Sequence, residues 1–300
     1  MTEIVPFEAE AKLDWIAMAR AIEAGHKLPP AQVTDSFLYR GEDTLLNRSA
    51  WIEGLGIAVK VASIFPGNRD KPSVNGAMNL LSDTDGTLEA VVDFHLVTKW
   101  KTAADSLLGA MKLAQPDSRE ILIVGAGNVA ASLREAYGAA FPEARFTVWN
   151  RSVEGAERLQ ARHPDVEIAR DLEAAVRRAD IITCATMAKA PVIRGEWLRP
   201  GQHVDLIGAF TPQMREADDL ALQRARIFVD ARATTLDHIG ELKIPLQAGA
   251  ITREDVVAEF SEPEPFRRES REEITLFKNG GGAHLDLMVA RHILDRWRSA

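Results

Sequence analysis

The chain contains one cysteine, Cys184, set in the apolar run IITCAT. No intrachain disulfide can form, which removes the class of small cross-linked secreted domains and points to a reducing compartment, the cytoplasm, with Cys184 as buried packing. Nowhere do about 18 or more apolar residues follow one another, so no segment reads as a bilayer-spanning helix. The opening residues MTEIVPFEAEAKLDW carry acids where a signal peptide would need a basic start and an apolar run. Basic excess is also missing: 36 Lys and Arg face 44 Asp and Glu, a net charge of −8 with the signs interspersed. A nucleic-acid partner wants a basic face, so none is expected. The 7 histidines show no metal-ligand spacing and no cysteine set to join them, so no metal is expected, and His95 and His284 read as structural groups.

What is present is enough chain, 300 residues at 46% hydrophobic, for two domains of roughly 100–200 residues each. The texture changes near residue 116. Before it, IAVKVASIF (57–65) and the pair AMNLLSD and TLEAVVD, parted by Asp85-Gly86, read as antiparallel strands with a hairpin, an α+β unit. Val97, Ala104, Leu107, Leu108 and Met111 predict a helix over about 97–114, stopped by Pro116. After Glu120 the short runs ILIV (121–124), FTVW (146–149), VEIA (166–169), IITCAT (181–186), VDLIG (204–208) and IFVD (227–230) alternate with helical segments. Buried parallel strands covered by helices follow, a doubly wound α/β sheet. AHLDLMVARHILDRW, beyond about 283, reads as an amphipathic terminal helix.

The first strand of that series runs into G-x-G-x-x-A: Gly125, Gly127 and Ala130, followed by a helix. Gly125 permits the tight turn, Gly127 lets backbone approach a pyrophosphate, and Ala130 lets the helix pack on the strand. The free N–H groups of Asn128 and Val129 at the helix start would face the phosphates. This is the Rossmann arrangement for a dinucleotide. At the end of the second strand, where an NAD enzyme places an acid on the ribose, the chain has Asn150-Arg151-Ser152. Arg151 can pair with a 2′-phosphate, with Asn150 and Ser152 as donors, so NADP(H) is preferred and NAD(H) remains open. The same three residues can simply cap the next helix, with Ser152 as N-cap.

The stretch VKVASIFPGNRDKPSVNGAMNLLSDTDGTLEAVVDFHLVTKWKTAADSLLGAMKLA before ILIVGAGNVA resembles the ornithine cyclodeaminase/μ-crystallin family. FTVWNRS, ADIITCAT, GEWLRPGQHVDLIGAFTPQMREADD, IFVD and ITLFKNGGGAHLDLMVARHI are similar in order and spacing, so the likeness runs from about residue 28 to the end. It implies a substrate-binding and dimerisation domain, 1–115 with 283–300, and a Rossmann NADP-binding domain, 116–282, with the active site in a cleft. A homodimer is the implied assembly and a small cyclic imino acid the implied substrate.

The resemblance also carries residues over. Lys60 stands where the family has its substrate-site lysine, the expected catalytic group. From the strand alone a solvent-facing lysine is equally open. Lys101 takes the place of the family's carboxylate-binding arginine, keeping the charge but losing the planar two-point grip. Arg48 is the candidate to supply that grip, against the alternative of a surface turn; Asn47 and Lys71 are weaker candidates. In GAFTPQMREADD, Phe210 replaces the aspartate that ornithine cyclodeaminases use for ammonia-eliminating ring closure. That form resembles the family's ketimine-reducing members, such as bacterial pyrroline-2-carboxylate reductases, unless the acid sits elsewhere, at Asp93 or Glu241. Phe210 and Thr211 are expected at the substrate, although Thr211 can instead cap a helix starting at Pro212. Thr186, Lys278 and Gly280 are expected at the cofactor; the glycine run can also be only a flexible entry to the last helix. The implied reaction is NADPH-dependent reduction of a five- or six-membered cyclic ketimine to L-proline or L-pipecolate. The alternatives are ornithine cyclodeaminase, an amino-acid dehydrogenase, and a binding or structural role.

Overall fold

The computed structural model describes residues 2–299, which fall into two compact units: one formed by the chain up to Ala104 together with the segment from Gly282, the other by Asp105–Gly281. The first begins with β1 (Glu3–Val5), a short 3-10 turn and α1 (Trp15–Gly25). The carboxylate of Asp14 accepts from the Ala17 N–H and so caps α1. Then come β2 (Gln32–Arg40), β3 (Asp43–Ile52), β4 (Gly56–Ile64), β5 (Val74–Leu81) and β6 (Leu88–Asp93). They form a six-stranded sheet in the order β1-β6-β5-β4-β3-β2, antiparallel except for β1 against β6. The expected hairpin is β5-β6, where Gly86 takes φ +69°.

Register decides what this sheet can do. Residues directly opposite one another share a face, and Asp35, Arg48, Lys60, Met78 and Val92 form one row across five strands. On β4 that row belongs to the buried set Ala58, Lys60 and Ala62, which alternates with half-exposed neighbours. Lys60 is therefore held on the covered face of the sheet.

α2 (Phe94–Leu113) starts where the Asp93 carboxylate accepts from the Leu96 N–H. The two units divide inside this helix, between Ala104 and Asp105, whereas the sequence reading puts the change at its C-terminal end.

The second unit contains β7 (Glu120–Val124), α3 (Asn128–Ala140), β8 (Arg145–Trp149), α4 (Val153–Arg162), β9 (Val166–Ile168), α5 (Leu172–Arg178), β10 (Ile181–Cys184) and β11 (His203–Leu206). It continues through α6 (Asp219–Arg224), β12 (Ala225–Val229), α7 (Arg232–Thr235), α8 (Gly240–Ala248), β13 (Val256–Glu259) and β14 (Ile274–Lys278). All eight strands are parallel, in the order β13-β12-β14-β11-β10-β7-β8-β9. The order reverses direction between β7 and β10, the switch point where such sheets bind ligands at their carboxyl ends. The doubly wound expectation holds, with two strands more than the six runs predict. β14 slots between β11 and β12, and its apolar run ITLF is too short for periodicity to identify. Cys184 is fully buried, as expected.

The chain ends in α9 (Ala283–Arg298), which packs on β3 and β4 of the first unit and buries Leu285, Asp286, Val289, Ala290 and Ile293. No described helix is long and apolar enough to cross a membrane.

Candidate active site

In the second unit the glycine loop has the shape a dinucleotide requires. Gly125 adopts φ +106°, and a Cβ there would lie 2.6 Å from the Ala185 carbonyl oxygen, so neither backbone nor space admits a side chain. Gly127 is the N-cap of α3 and supplies no capping side chain, and the space its Cβ would take is open. The exposed first turn at Asn128 and half-buried Val129 thus presents backbone N–H groups to whatever approaches. Ala130 is buried against the sheet. This cradle fits the pyrophosphate of a dinucleotide.

Around it, Asn150 ends β8 and donates from Nδ2 to the Ser152 carbonyl and hydroxyl, which leaves Arg151 exposed at the tip. Ser152 is the N-cap of α4 by backbone, but its hydroxyl makes no cap bond. Thr186 follows β10; its N–H and hydroxyl both donate to Glu216 Oε1, at 2.7 and 2.8 Å. The other oxygen of Glu216 accepts from the N–H groups of Gly208 and Ala209 after β11. A buried carboxylate therefore ties together the two loops on either side, and Gly208 fits only because a Cβ would lie 1.8 Å from the Thr186 carbonyl oxygen. Glu241 supports Glu216 from behind by accepting the N–H groups of Glu216 and Ala217. Burial, and then the charge of Glu216, push Glu241 up to about 7.

Gly280 and Gly281 donate their N–H groups to Asp230 Oδ2, so the glycine run is anchored rather than slack. At Lys278 the expected approach to a cofactor is one of backbone, and the side chain is engaged elsewhere. Its side chain is fully buried, and Nζ donates to the carbonyls of Leu206 and Asn279, so only its backbone is left to face a cofactor. Thr211 caps no helix: Pro212 and Gln213 form a turn, the Thr211 carbonyl accepts from Met214 and Gly240, and the next helix starts at Asp219, capped by Asp218. Phe210, just before it, is 63% exposed. Neither other candidate for the missing acid is available, since Asp93 caps α2 and Glu241 is spent on backbone donors.

In the first unit the charged row meets α9. Lys60 is 7% exposed; its Nζ donates to Asp286 Oδ1 at 3.0 Å and to the Thr98 hydroxyl at 3.1 Å, and lies 4.7 Å from the centre of the Phe94 ring. Lys101 Nζ stands 3.9 Å from the same Asp286 oxygen. Arg48 is no turn residue but the middle of β3, held through Nε and Nη2 by both oxygens of Asp35. Its guanidinium is raised above its usual range: burial opposes this, but the hydrogen bonds and charge of Asp35 prevail. Lys60 shifts down, because burial and the charge of Lys101 outweigh the attraction of Asp286. Asp286, completely buried, is nonetheless held below the usual carboxylate range by Lys60, Lys101 and Arg48. His284 is driven down to about 4 by burial and then by Lys101, so the imidazole is neutral.

The structure thus brings Arg48, Lys60 and Lys101 to one site, as the sequence candidates require. Asn47, adjacent on β3, points to the opposite face, and Lys71 is exposed on the β4-β5 loop, so neither joins them. Asp35 and Asp286 were not legible. The one available signal for Asp286 is an acid between Leu285 and Leu287 on an amphipathic helix. Among the described residues no group of three or more His, Cys, Asp or Glu is arranged for a metal.

The profile of the ornithine cyclodeaminase/mu-crystallin family matches residues 50–300. A Delta(1)-pyrroline-2-carboxylate reductase of Paracoccus denitrificans is 53% identical over 95% of this chain and 94% of its own length. Ketimine reductase mu-crystallin of the mouse is 33% identical over 81% and 77%. Among solved structures, an archaeal alanine dehydrogenase dimer with bound NAD superposes with a TM-score of 0.89 at 28% identity, covering 99% of this chain and 96% of that one.

Proposed function

The chain belongs to the ornithine cyclodeaminase/mu-crystallin family, and from that premise we propose that it reduces a cyclic ketimine carboxylate, Δ1-pyrroline-2-carboxylate or its six-membered homologue, to L-proline or L-pipecolate. It is an oxidoreductase acting on the C=N bond with a nicotinamide dinucleotide. Gly125, Gly127, Asn128 and Val129 would hold the pyrophosphate, with Thr186 and the backbone of Lys278 and Gly280 nearer the ring. Arg151, flanked by Asn150 and Ser152 and with no acid at the end of β8, favours the 2′-phosphate of NADP(H).

The observation that carries this reading is the charge count of the first unit's site. Arg48, Lys60 and Lys101 face Asp35 and Asp286, which leaves one positive charge in a row that is partly exposed at Asp35 and Arg48 and buried at Lys60 and Asp286. One monoanionic carboxylate completes it, and buried charges call for such pairing. A reduced nicotinamide, when bound, would supply the hydride that the imine carbon needs. The chain's own residues fix the carboxylate, keep water away, and hold a proton on Lys60 Nζ for the ring nitrogen. Phe210, an exposed phenyl ring in place of the cyclodeaminase acid, offers an apolar surface to a ring and no group to expel ammonia.

Incubating the protein with NADPH and Δ1-pyrroline-2-carboxylate is expected to consume the reduced-nicotinamide absorbance without added ammonia. No loss of absorbance overturns the reading, and a strict ammonia requirement with a 2-oxo acid turns it to the dehydrogenase alternative. We read the assembly as a homodimer: edge strand β2 exposes Val33, Phe37, Leu38 and Tyr39, an unprotected edge that a second copy would cover. The single buried thiol suits the cytoplasm.

A further inference from the structure

We infer that Asp286 is the positioning residue that keeps Lys60 charged, and so sets the upper pH limit of the reaction; this rests on the reading above. Every group packed against Lys60 bears on the point. β3 brings Arg48, itself engaged by Asp35 of β2; α2 brings Lys101 and the neutral Thr98 hydroxyl; α9 brings Asp286 and the neutral His284. Two cations thus repel the Lys60 ammonium; the Phe94 ring, 4.7 Å from Nζ, favours it weakly, and one carboxylate in direct contact attracts it. Burial acts in the same direction as the cations, since a desolvated amine loses its proton more readily.

Asp286 is suited to oppose all three. Its Oδ1 is shared by Lys60 and Lys101, while its Oδ2 is buried with no hydrogen-bond partner. A buried carboxylate with an idle oxygen is costly; Asp286 does lie in the first turn of α9, where a negative charge suits the helix end, but a role confined to the helix would be served from the solvated face. α9 instead turns it toward the sheet, 226 positions from the lysine it meets. Asp286 does not touch the reacting atoms in this account; it acts through Lys60 Nζ.

The test compares pH profiles of kcat/KM for the full-length wild type, Asp286→Asn and Asp286→Glu, with Δ1-pyrroline-2-carboxylate and NADPH. An inactive wild type overturns the function itself rather than this inference. With an active wild type, the alkaline limb of Asp286→Asn is expected to fall by about one pH unit or more, a loss of roughly tenfold at alkaline pH that narrows toward acid. Asp286→Glu, which keeps the charge, should restore most of the limb. A uniform loss at every pH with the limb unmoved overturns the inference, because that is what a purely structural role produces. Should Asp286→Asn fail to fold, the double variant Lys60→Met/Asp286→Asn decides: a higher melting temperature than Lys60→Met alone supports the pairing, and no gain refutes it.

Discussion

In the Rossmann unit the groups offered to a ligand are mostly backbone N–H groups, shaped by Gly125 and Gly127, while the ionised side chains lie beneath and hold loops. In the first unit the arrangement is inverted: on the proposed reading the side chains of Arg48, Lys60 and Lys101 would themselves bind, with backbone setting their register. The difference teaches why a dinucleotide loop can serve many reactions while a site built of side chains is tied to one. A backbone cradle reads phosphate, common to all; a row of side chains reads one acid and changes with each substitution.

The most severe way to break this division is Lys60→Met. Activity should fall by about two to four orders of magnitude, the range typical for loss of a proton-transfer group, while the dissociation constant for NADPH, read by nucleotide fluorescence, stays within a factor of two or so. A large change in nucleotide affinity would mean that the two sites do not divide the work as described. Stability should drop as well, by roughly 3–5 kcal/mol, because Asp286 is left buried without its partner.

Gly125→Val is the converse. A branched side chain at φ +106°, driven against the Ala185 carbonyl, strains the turn by at least about 1–3 kcal/mol. Nucleotide affinity should weaken on the order of a hundredfold or more, while the Asp35–Arg48 and Lys60–Asp286 pairs persist. Retained nucleotide binding would show that the loop is not the cradle. Smaller still is Arg151→Ala, which should raise the KM for NADPH about tenfold and leave NADH unchanged, since one charge-assisted pair with the 2′-phosphate is lost. Equal effects on both cofactors would remove the preference for NADP(H).

The same division explains what the sequence revealed. The cradle is contiguous, strand then G-x-G-x-x-A then helix, so every residue that shapes it lies within a few positions of the next. Arg48, Lys60 and Lys101 could be named through family resemblance, but their partners come from strand register and from a helix at the far end of the chain. No local pattern links Asp35 to Arg48, or Asp286 to Lys60. The fate of the Lys278 amine was hidden for a related reason: β14 is an interior strand that no periodicity marks, and the two carbonyls that take the amine lie on either side of it in space or sequence. Glu216 was invisible because its work is done on the backbone of Thr186, Gly208 and Ala209, whose identities carry no trace of it.

The gentlest test uses pH against the two buried acid sets, which are tuned in opposite directions. Burial pushes Asp205, held by the hydroxyls of Ser106, Tyr137 and Thr183, up to about 6, and pushes Asp230 up to about 6 as well. Between about 4 and 7 the folded Rossmann unit therefore keeps protons that the unfolded chain has released. Its stability from these groups is complete below the unfolded carboxylate range and is lost as pH rises through their folded values. Asp286 is depressed, so its contribution is complete above the unfolded range and is lost only as pH falls through the lower folded value. Between pH 5 and pH 8 the wild type should lose stability from Asp205 and Asp230 and gain it from His203 and His284, which burial keeps neutral while the unfolded histidines give up their protons, and melting curves at the two pH values read the sum. Relative to the wild type, Asp205→Asn should remove about 1.4 kcal/mol of the loss between those pH values, whereas Asp286→Asn should leave the part due to these groups intact. If Asp205→Asn changes with pH just as the wild type does, Asp205 is not holding a proton, and the contrast between a proton-retaining scaffold and an ionised charged row fails.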